Sequence, residues 1–422
     1  GLPFVPGAAG RDFFAGFQTE FPAFSHQEQA WRRLSSQHAA AHTLVATGTG
    51  SGKTECFLYP VLDHCARARQ AGEGGIKALV IYPMNALATD QARRIAELVA
   101  SVPAFAGLRV GLYVGGNTSN SGEGMVMTPH AVITDRATLR KHPPDILLTN
   151  YKMLDYLMLR PMDRELWASN TPTTLRYVVV DELHTFDGAQ GTDLALLLRR
   201  LRARLKIEPK HLICAGTSAT LGGGSDTAPL REYARQVFGV PFEPDSVEVE
   251  NRQSVGVFLE DAMVDFMFSF HREWADALEP ARYRSPEAAV AAWFGLFFPD
   301  EPPPADVSDS AWRKALGALL KRHQLFVNLL KLLKGGVASY DMLTEAFARN
   351  MPNASKGEIR QVLDALLVLM AWALREGNQP LVTLRVQMWV RELRRMVGKL
   401  AADPEEVKLR SERDLPGERD GV

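Results

Sequence analysis

The sequence predicts an α/β fold, a doubly wound domain on a parallel sheet followed by an all-α region, and three observations predict it. Between residues 40 and 220, short apolar runs without polar alternation recur between longer helical patterns. One run breaks into a glycine-rich turn that opens a helix, and another ends in two adjacent carboxylates. Beyond about residue 240 the strand-like runs all but stop and helical periods take over.

In chain order, the runs are 43–47 (TLVAT), 78–83 (ALVIYP), 109–115 (RVGLYVG), 145–150 (DILLTN), 177–182 (YVVVDE) and 211–220 (HLICAGTSAT). Each is short and rich in Val, Ile and Leu, as strands buried on both faces are. Amphipathic stretches such as 89–100 and 193–205 read as the helices between them. In the second region, 310–333 and 356–374 read as helices, and the apolar stretch 362–374 as a buried helix interrupted by Asp364. The break FFPDEPPPADVSDS at 297–310 reads as an exposed linker. The expected organisation is a nucleotide-binding lobe over 1–240, a helical accessory region over 241–403 and a polar, flexible tail over 404–422.

The 422 residues are 46% hydrophobic and 23% charged, with a net charge of −1. That balance excludes a global attraction to polyanions, so any nucleic-acid contact must come from local faces. Two basic helical stretches, 312–334 and 385–400, are candidates, although a solvated amphipathic face is the favoured reading of both. Three cysteines, Cys56, Cys65 and Cys214, form no CxxC pair, which argues against a disulfide framework or structural zinc and fits a reducing, cytoplasmic setting. No apolar run reaches the roughly 18 residues of a membrane helix. The chain starts at Gly1 rather than Met and ends in a polar tail, so it is expected to be an excerpt of a longer protein.

The turn is ATGTGSGKT, residues 46–54. Thr49, Gly50, Ser51 and Gly52 place backbone N–H groups where they can cradle phosphate oxygens, at the start of a helix whose dipole favours an anion. Lys53 would neutralise the β- and γ-phosphates and the Thr54 hydroxyl would ligate Mg²⁺. Position 47, glycine in the usual loop, is Thr. Alone, the stretch could be a ligand-free strand-to-helix turn, and YVVVDE alone a capped helix start. Together they describe an ATP site. Ligands of parallel sheets collect at the carboxyl ends of the strands. There Asp181 would hold Mg²⁺ and Glu182 would orient and deprotonate the attacking water.

ATGTGSGKT, DELH and GTSAT, in that order, resemble motifs I, II and III of superfamily two helicases of the DEAD/DEAH type. YPMNALATDQ (82–91) resembles motif Ia, PDILLTNYKMLDYLMLRP (144–161) the motif opening D-I-L-x-T, and FSHQEQA (24–30) a Q-type motif. DELHTFDGAQGTDLALLLRRLR (181–202) and VGLYVGGNTS (110–119) are similar to the branch of Lhr and MrfA/YprA-like helicases, with Gly115 replacing that branch's usual Asp. The resemblance spans about residues 20 to 222.

It implies a RecA-like P-loop NTPase lobe with Gln27 as adenine reader. It further implies that His184, Ser218 and Thr220 couple the γ-phosphate state to strand grip. Pro83, Asn85, Gly115, Gly116, Thr149 and Asn150 would touch the phosphate backbone of one tracking strand; His26 is expected to be structural. The implied activity is an ATP-dependent helicase or translocase, DNA favoured over RNA, moving 3′ to 5′, with a faint further likeness to large bacterial defence-associated helicases and their protein complexes. The second RecA-like lobe, with its arginine run, is missing from residues 223–422, so these residues alone are expected to bind ATP and hydrolyse it poorly. The alternative is an ATP-gated nucleic-acid-binding subunit that remodels partners without unwinding.

Overall fold

All six predicted runs fold within a residue or two of their expected bounds, and they do so side by side. The computed structural model describes residues 1–48, 50–115, 124–208, 210–219, 226–260, 262–333, 336, 338–384, 396–398 and 409–411. Seven strands, β1 (Thr43–Ala46), β2 (Ala78–Tyr82), β3 (Val110–Tyr113), β4 (Ile146–Asn150), β5 (Tyr177–Val180), β6 (Ile213–Ser218) and β7 (Val247–Val249), form one parallel sheet. Its order is β3-β4-β2-β5-β6-β1-β7. Helices α1 (Ser25–Leu34), α2 (Lys53–Gln70), α3 (Asn85–Ser101), α4 (Arg136–Lys141), α5 (Tyr151–Leu159), α6 (Gly188–Leu205) and α7 (Ala228–Phe238) belong to the same unit, which runs from Leu2 to Asp261 with a short added segment at 333–337.

Burial on both faces explains the lack of polar alternation. Along β2, Leu79 and Ile81 join one core with Leu147, Val178 and Leu198, while Val80 and Tyr82 join another with Phe57, Ile95 and Leu148. Each such side chain contributes roughly 1.5–3 kcal/mol when removed from water. The amino edge also holds a buried ion pair that periodicity does not reveal. Lys77 Nζ donates to Asp145 Oδ1 at 2.8 Å and to Gly75 O at 3.1 Å, and Arg109 N donates to Asp145 Oδ2 at 2.8 Å. Both side chains are nearly solvent-free, and a pair is tolerated there because its remaining hydrogen-bonding groups are satisfied.

The α/β unit extends past the residue-240 boundary because β7 adds to β1, with Val247 opposite Leu44 and Val249 opposite Ala46. SVEVEN is short and carries two glutamates, so it lacks the apolar density of the other strands. Glu248 is nevertheless buried, and desolvation raises its carboxyl to about 7.

The second unit comprises Gly1, 262–332 and 338–422. After a short helix α8 (Val255–Leu259) that still belongs to the first unit, it contains α9 (Trp274–Ala277), α10 (Pro286–Phe297), α11 (Ser310–Lys321), α12 (Gln324–Leu333), α13 (Tyr340–Ala348) and α14 (Lys356–Trp372). A small hairpin follows, β8 (Leu374–Arg375) with β9 (Gln379–Pro380), and then a strand pair, β10 (Met396–Gly398) with β11 (Leu409–Ser411). The helix expected over 310–333 is broken at Arg322–His323. There the backbone of 265–266 inserts: Phe266 N donates to Arg322 O and Gln324 N to Phe266 O. His323 is buried among Phe268, Phe297 and Phe298, and burial lowers its pKa to about 4.

Two of the candidate basic residues are used in packing: Arg313 Nε donates to Trp372 O at 2.8 Å, and Arg322 Nε to Asp265 at 2.6 Å. Lys334 and residues 385–395 lie outside the described residues. Asp364, which interrupts the apolar stretch, accepts from the Tyr340 hydroxyl at 2.5 Å on the helix's open side. Among the described residues, no helix is long and apolar enough to cross a membrane.

Candidate nucleotide site and adjoining groove

The strand order divides the carboxyl edge of the sheet. β1, β6 and β5 are neighbours on one side, and β2, β4 and β3 follow on the other. On the first side the chain turns from β1 into α2 through residues 47–52, with Gly50 at φ 75° and Gly52 at φ 76°, values that favour glycine. At Gly52 a Cβ would collide with the Gln27 amide.

Thr47 is fully buried and has a partner. Ser51 Oγ donates to Gly48 O at 2.7 Å, which leaves the Thr47 hydroxyl to donate to Ser51 Oγ at 2.6 Å. The hydroxyl that replaces the usual glycine therefore ties the loop to itself. Glu250, just beyond β7, accepts from Gly48 N at 3.2 Å and from Arg252 Nε at 2.9 Å. His26 donates through Nε2 to Ser51 O at 2.9 Å; burial lowers its pKa, so it is a neutral brace, consistent with a structural role. Gln27 uses its Oε1 to cap α1 at Phe24 N, 3.0 Å, and one Nε2 hydrogen on Gly52 O, 3.3 Å. Thr54 stands half-buried in the first turn of α2. Thr49 lies outside the described residues.

From the end of β5, Glu182 Oε1 accepts from Lys53 Nζ at 2.8 Å. Glu182 has a left-handed backbone, φ 49°, a conformation costing a non-glycine residue about 1–2 kcal/mol and often found where a side chain must be aimed. Two bonds hold it there: Glu182 N donates to Thr217 Oγ1 at 2.9 Å and to Asp181 Oδ1 at 3.1 Å. The Thr217 hydroxyl in turn donates to Asp181 Oδ1. Asp181 is 5% exposed, and its pKa is raised because burial outweighs the Thr217 bond.

His184 Nδ1 accepts from Ala219 N at 3.3 Å, so it carries no proton on that nitrogen; Ser218 Oγ stands 3.4 Å from it and donates to Ala219 O at 3.0 Å. The 3.4 Å approach of His184 Nδ1 to Glu182 Oε2 is therefore a contact without a hydrogen bond, and Oε2 is buried without a donor among the described residues. Thr220 lies outside the described residues. Thr217 and Glu250 are the residues that sequence reasoning passed over. A polar residue at the end of a buried strand was a readable signal for Thr217; Glu250 had none, because β7 was not foreseen.

On the second side, Pro83, Asn85, Gly115 and Asn150 line one groove of about 370 Å³, joined by Met84, Lys152 and Tyr156 among others. Asn150 Nδ2 donates to Asn85 Oδ1 at 2.6 Å, Asn85 Nδ2 to Gly115 O at 3.1 Å, and Asn150 Oδ1 accepts from Met153 N at 2.8 Å to cap α5. The side chain of Thr149 does not reach this surface. It is fully buried, and its hydroxyl donates to Tyr113 O at 2.6 Å, tying β4 to β3. That corrects its expected contact with the phosphate backbone, since the whole residue is buried and its hydroxyl has the sheet itself as partner. Gly116 lies outside the described residues.

The model of the DEAD/DEAH box helicase family matches residues 24–227. The chain is 25% identical over 481 aligned positions to the Druantia protein DruE of Escherichia coli, covering 88% of this chain and 25% of that protein. It is 28% identical to the ATP-dependent helicase Lhr-Core of Methanothermobacter thermautotrophicus, covering 49% of this chain and 22% of that one. To the ATP-dependent helicase YprA of Bacillus subtilis it is 27% identical, over 52% of this chain and 25% of that one. The chain thus spans about a quarter of the length of these relatives.

Proposed function

We propose, for a chain whose residues 24–227 are a DEAD/DEAH box helicase domain, that it is the first motor lobe of an ATP-dependent nucleic-acid helicase or translocase. DNA is the favoured substrate and 3′ to 5′ the favoured direction, both on the likeness to the Lhr and YprA branch. The observation that carries the reading is the meeting of Lys53 and Glu182 at 2.8 Å beside the buried Asp181, where the phosphate loop and the paired carboxylates open on one edge.

The residues suit ATP and Mg²⁺. The donor set is hard oxygen, Thr54 and Asp181, as Mg²⁺ prefers, and Glu182 Oε2 is a buried acceptor with no donor among the described residues. When bound, the metal would screen the phosphate charge. The chain's own groups do the rest. Lys53, with Gly50, Ser51 and Gly52, holds the phosphates, and Thr217 keeps Asp181 aimed. Glu182 takes the proton of the attacking water. Gln27 has a second Nε2 hydrogen to offer an adenine, since an amide carries two donors. His184 and Ser218 relay the state of Glu182 toward the end of β6.

Pro83, Asn85, Gly115 and Asn150 are the proposed strand contacts. Neutral donors and exposed backbone suit a contact that positions a strand without reading its sequence. A second lobe in the parent chain would complete the ATP site. The match to the Druantia protein runs over 88% of this chain, well past the lobe, and supports a place among defence-associated helicases.

Strand displacement and ATP turnover by the full-length parent, against its Glu182→Gln form, test the reading. Loss of the general base should lower turnover by about 10²–10⁴-fold while nucleotide binding persists. Equal rates for the two forms would sink the motor.

A further inference from the structure

The groove at the ends of β2, β4 and β3 has two walls of different chemistry. One is the amide chain of Asn85 and Asn150 with Gly115. The other comes from α5 and the turn before α3, where Tyr156 is 49% and Met84 59% exposed. Among the described residues that line the groove none is acidic, in a chain with 49 Asp and Glu, and Lys152 supplies a positive charge. A space bounded by neutral donors, a cation and an apolar wall suits a molecule that is anionic along one side and flat and apolar along the other.

Tyr156 is built to be such a platform. It lies one helical turn beyond Lys152 and one turn before Arg160, whose guanidinium sits 4.6 Å from the centre of its ring. The cation fixes the ring from one side and contributes a cation–π attraction, while about half of the tyrosine stays open. An aromatic ring held in place and left open at the rim of a polar groove has given up burial that the core would have rewarded.

We propose that Tyr156, backed by Arg160, is a base-stacking platform, so that this lobe selects single-stranded nucleic acid. The proposal rests on the reading of the groove as a strand contact and adds how the strand state is recognised. A duplex hides the faces of its bases and offers only its backbone. A single strand can lay its phosphates along Asn85, Gly115 and Asn150 and turn one base onto Tyr156. Because every base has a π-face, the contact tolerates any sequence. Tyr156 is thus a specificity-determining residue for strand state.

The test is equilibrium binding of the 422-residue chain to a fluorescent oligothymidine, to the same backbone with abasic positions, and to a blunt duplex of equal length. The intact single strand should bind best in wild type. Tyr156→Ala should weaken it by about 5- to 150-fold, the range of one base–aromatic stack, and erase the preference over the abasic strand. Tyr156→Phe should restore both. If Tyr156→Ala binds the intact strand as wild type does, the platform is wrong while the strand contact stands. Should that variant instead abolish a self-association seen in wild type, Tyr156 with Leu159 and Met162 belongs to a protein contact. No binding of any oligonucleotide by wild type would overturn the groove reading itself, and the platform with it.

Discussion

At the ends of β1, β6 and β5 the chain gathers ionisable groups and ties them to one another; at the ends of β2, β4 and β3 it gathers amides, backbone and an aromatic ring. Lys53, Asp181 and Glu182 are held by charge-assisted bonds in a partly buried setting, where such bonds are stronger than at an open surface. Asn85 and Asn150 are bonded to each other and to backbone at an open surface, where each bond is worth little net free energy. The difference teaches what each half must tolerate. Chemistry on a phosphate needs fixed charges that do not reorganise. A moving strand needs contacts that break and reform at small cost.

The comparison breaks first if the halves cannot be separated. Lys53→Ala should lower affinity for a fluorescent ATP analogue on the order of 100-fold or more, because a charge-assisted phosphate contact is lost. Oligonucleotide affinity without nucleotide should not change, and a parallel collapse would show that the halves are one site.

A second test concerns Glu248, which extends the ionisable half through β7. Its folded pKa of about 7 lies above its unfolded value of 4.5, so the folded protein holds the proton more tightly across that window. Stability from this group is full below about 4.5 and is lost as pH rises through 7. Glu248→Gln should therefore melt higher than wild type at pH 8 and at the same temperature at pH 4.5. A constant difference across pH would rule out ionisation as the cause.

Thr217 gives a smaller, sharper effect. Thr217→Val removes a hydrogen bond to a carboxylate, about 1.5–3 kcal/mol, and should slow turnover by roughly 10- to 100-fold while raising the Mg²⁺ concentration needed for half-activity. Thr217→Ser should restore both. A lower rate with an unmoved Mg²⁺ dependence would mean that Thr217 does not act through Asp181.

The smallest effect is expected in the groove. Asn150→Ala loses the α5 cap, about 1 kcal/mol, together with its bond to Asn85. Asn150→Asp keeps the acceptor for Met153 N and loses only the donor. Chemical denaturation should separate them, with the Asp form near wild type. Oligonucleotide affinity should fall in both, and retention by the Asp form would show that the Asn85 link is idle.

Much of this was legible in the residues. Buried parallel strands announce themselves as apolar runs, and GSGKT with DEL needs only the rule that strand ends converge to become one site. What was not legible has a common physical cause, in that it depends on partners distant in sequence. SVEVEN becomes a strand only because β1 has an unpaired edge for it. Thr149 stands at a strand end where the resemblance implies a strand contact, and only the fold brings Tyr113 O beside its hydroxyl. Thr47 looks like a defect in the loop until Ser51 turns back to meet it. The break at His323 requires residues 265–266, far upstream, to enter the helix line.

One consequence of the Lys53–Glu182 pair concerns the order of events. Lys53 has only 10% of its side chain exposed, so an empty loop would strand a cation with little water around it. Glu182 spares it that by serving as an internal substitute for phosphate. If nucleotide binds as proposed, its arrival would exchange one anion for another, and its departure would return the lysine to a waiting partner. On the proposed reading the same swap would couple binding to chemistry: Glu182 Oε1 is engaged with Lys53 while the loop is vacant, and phosphates that claimed the lysine would release that oxygen.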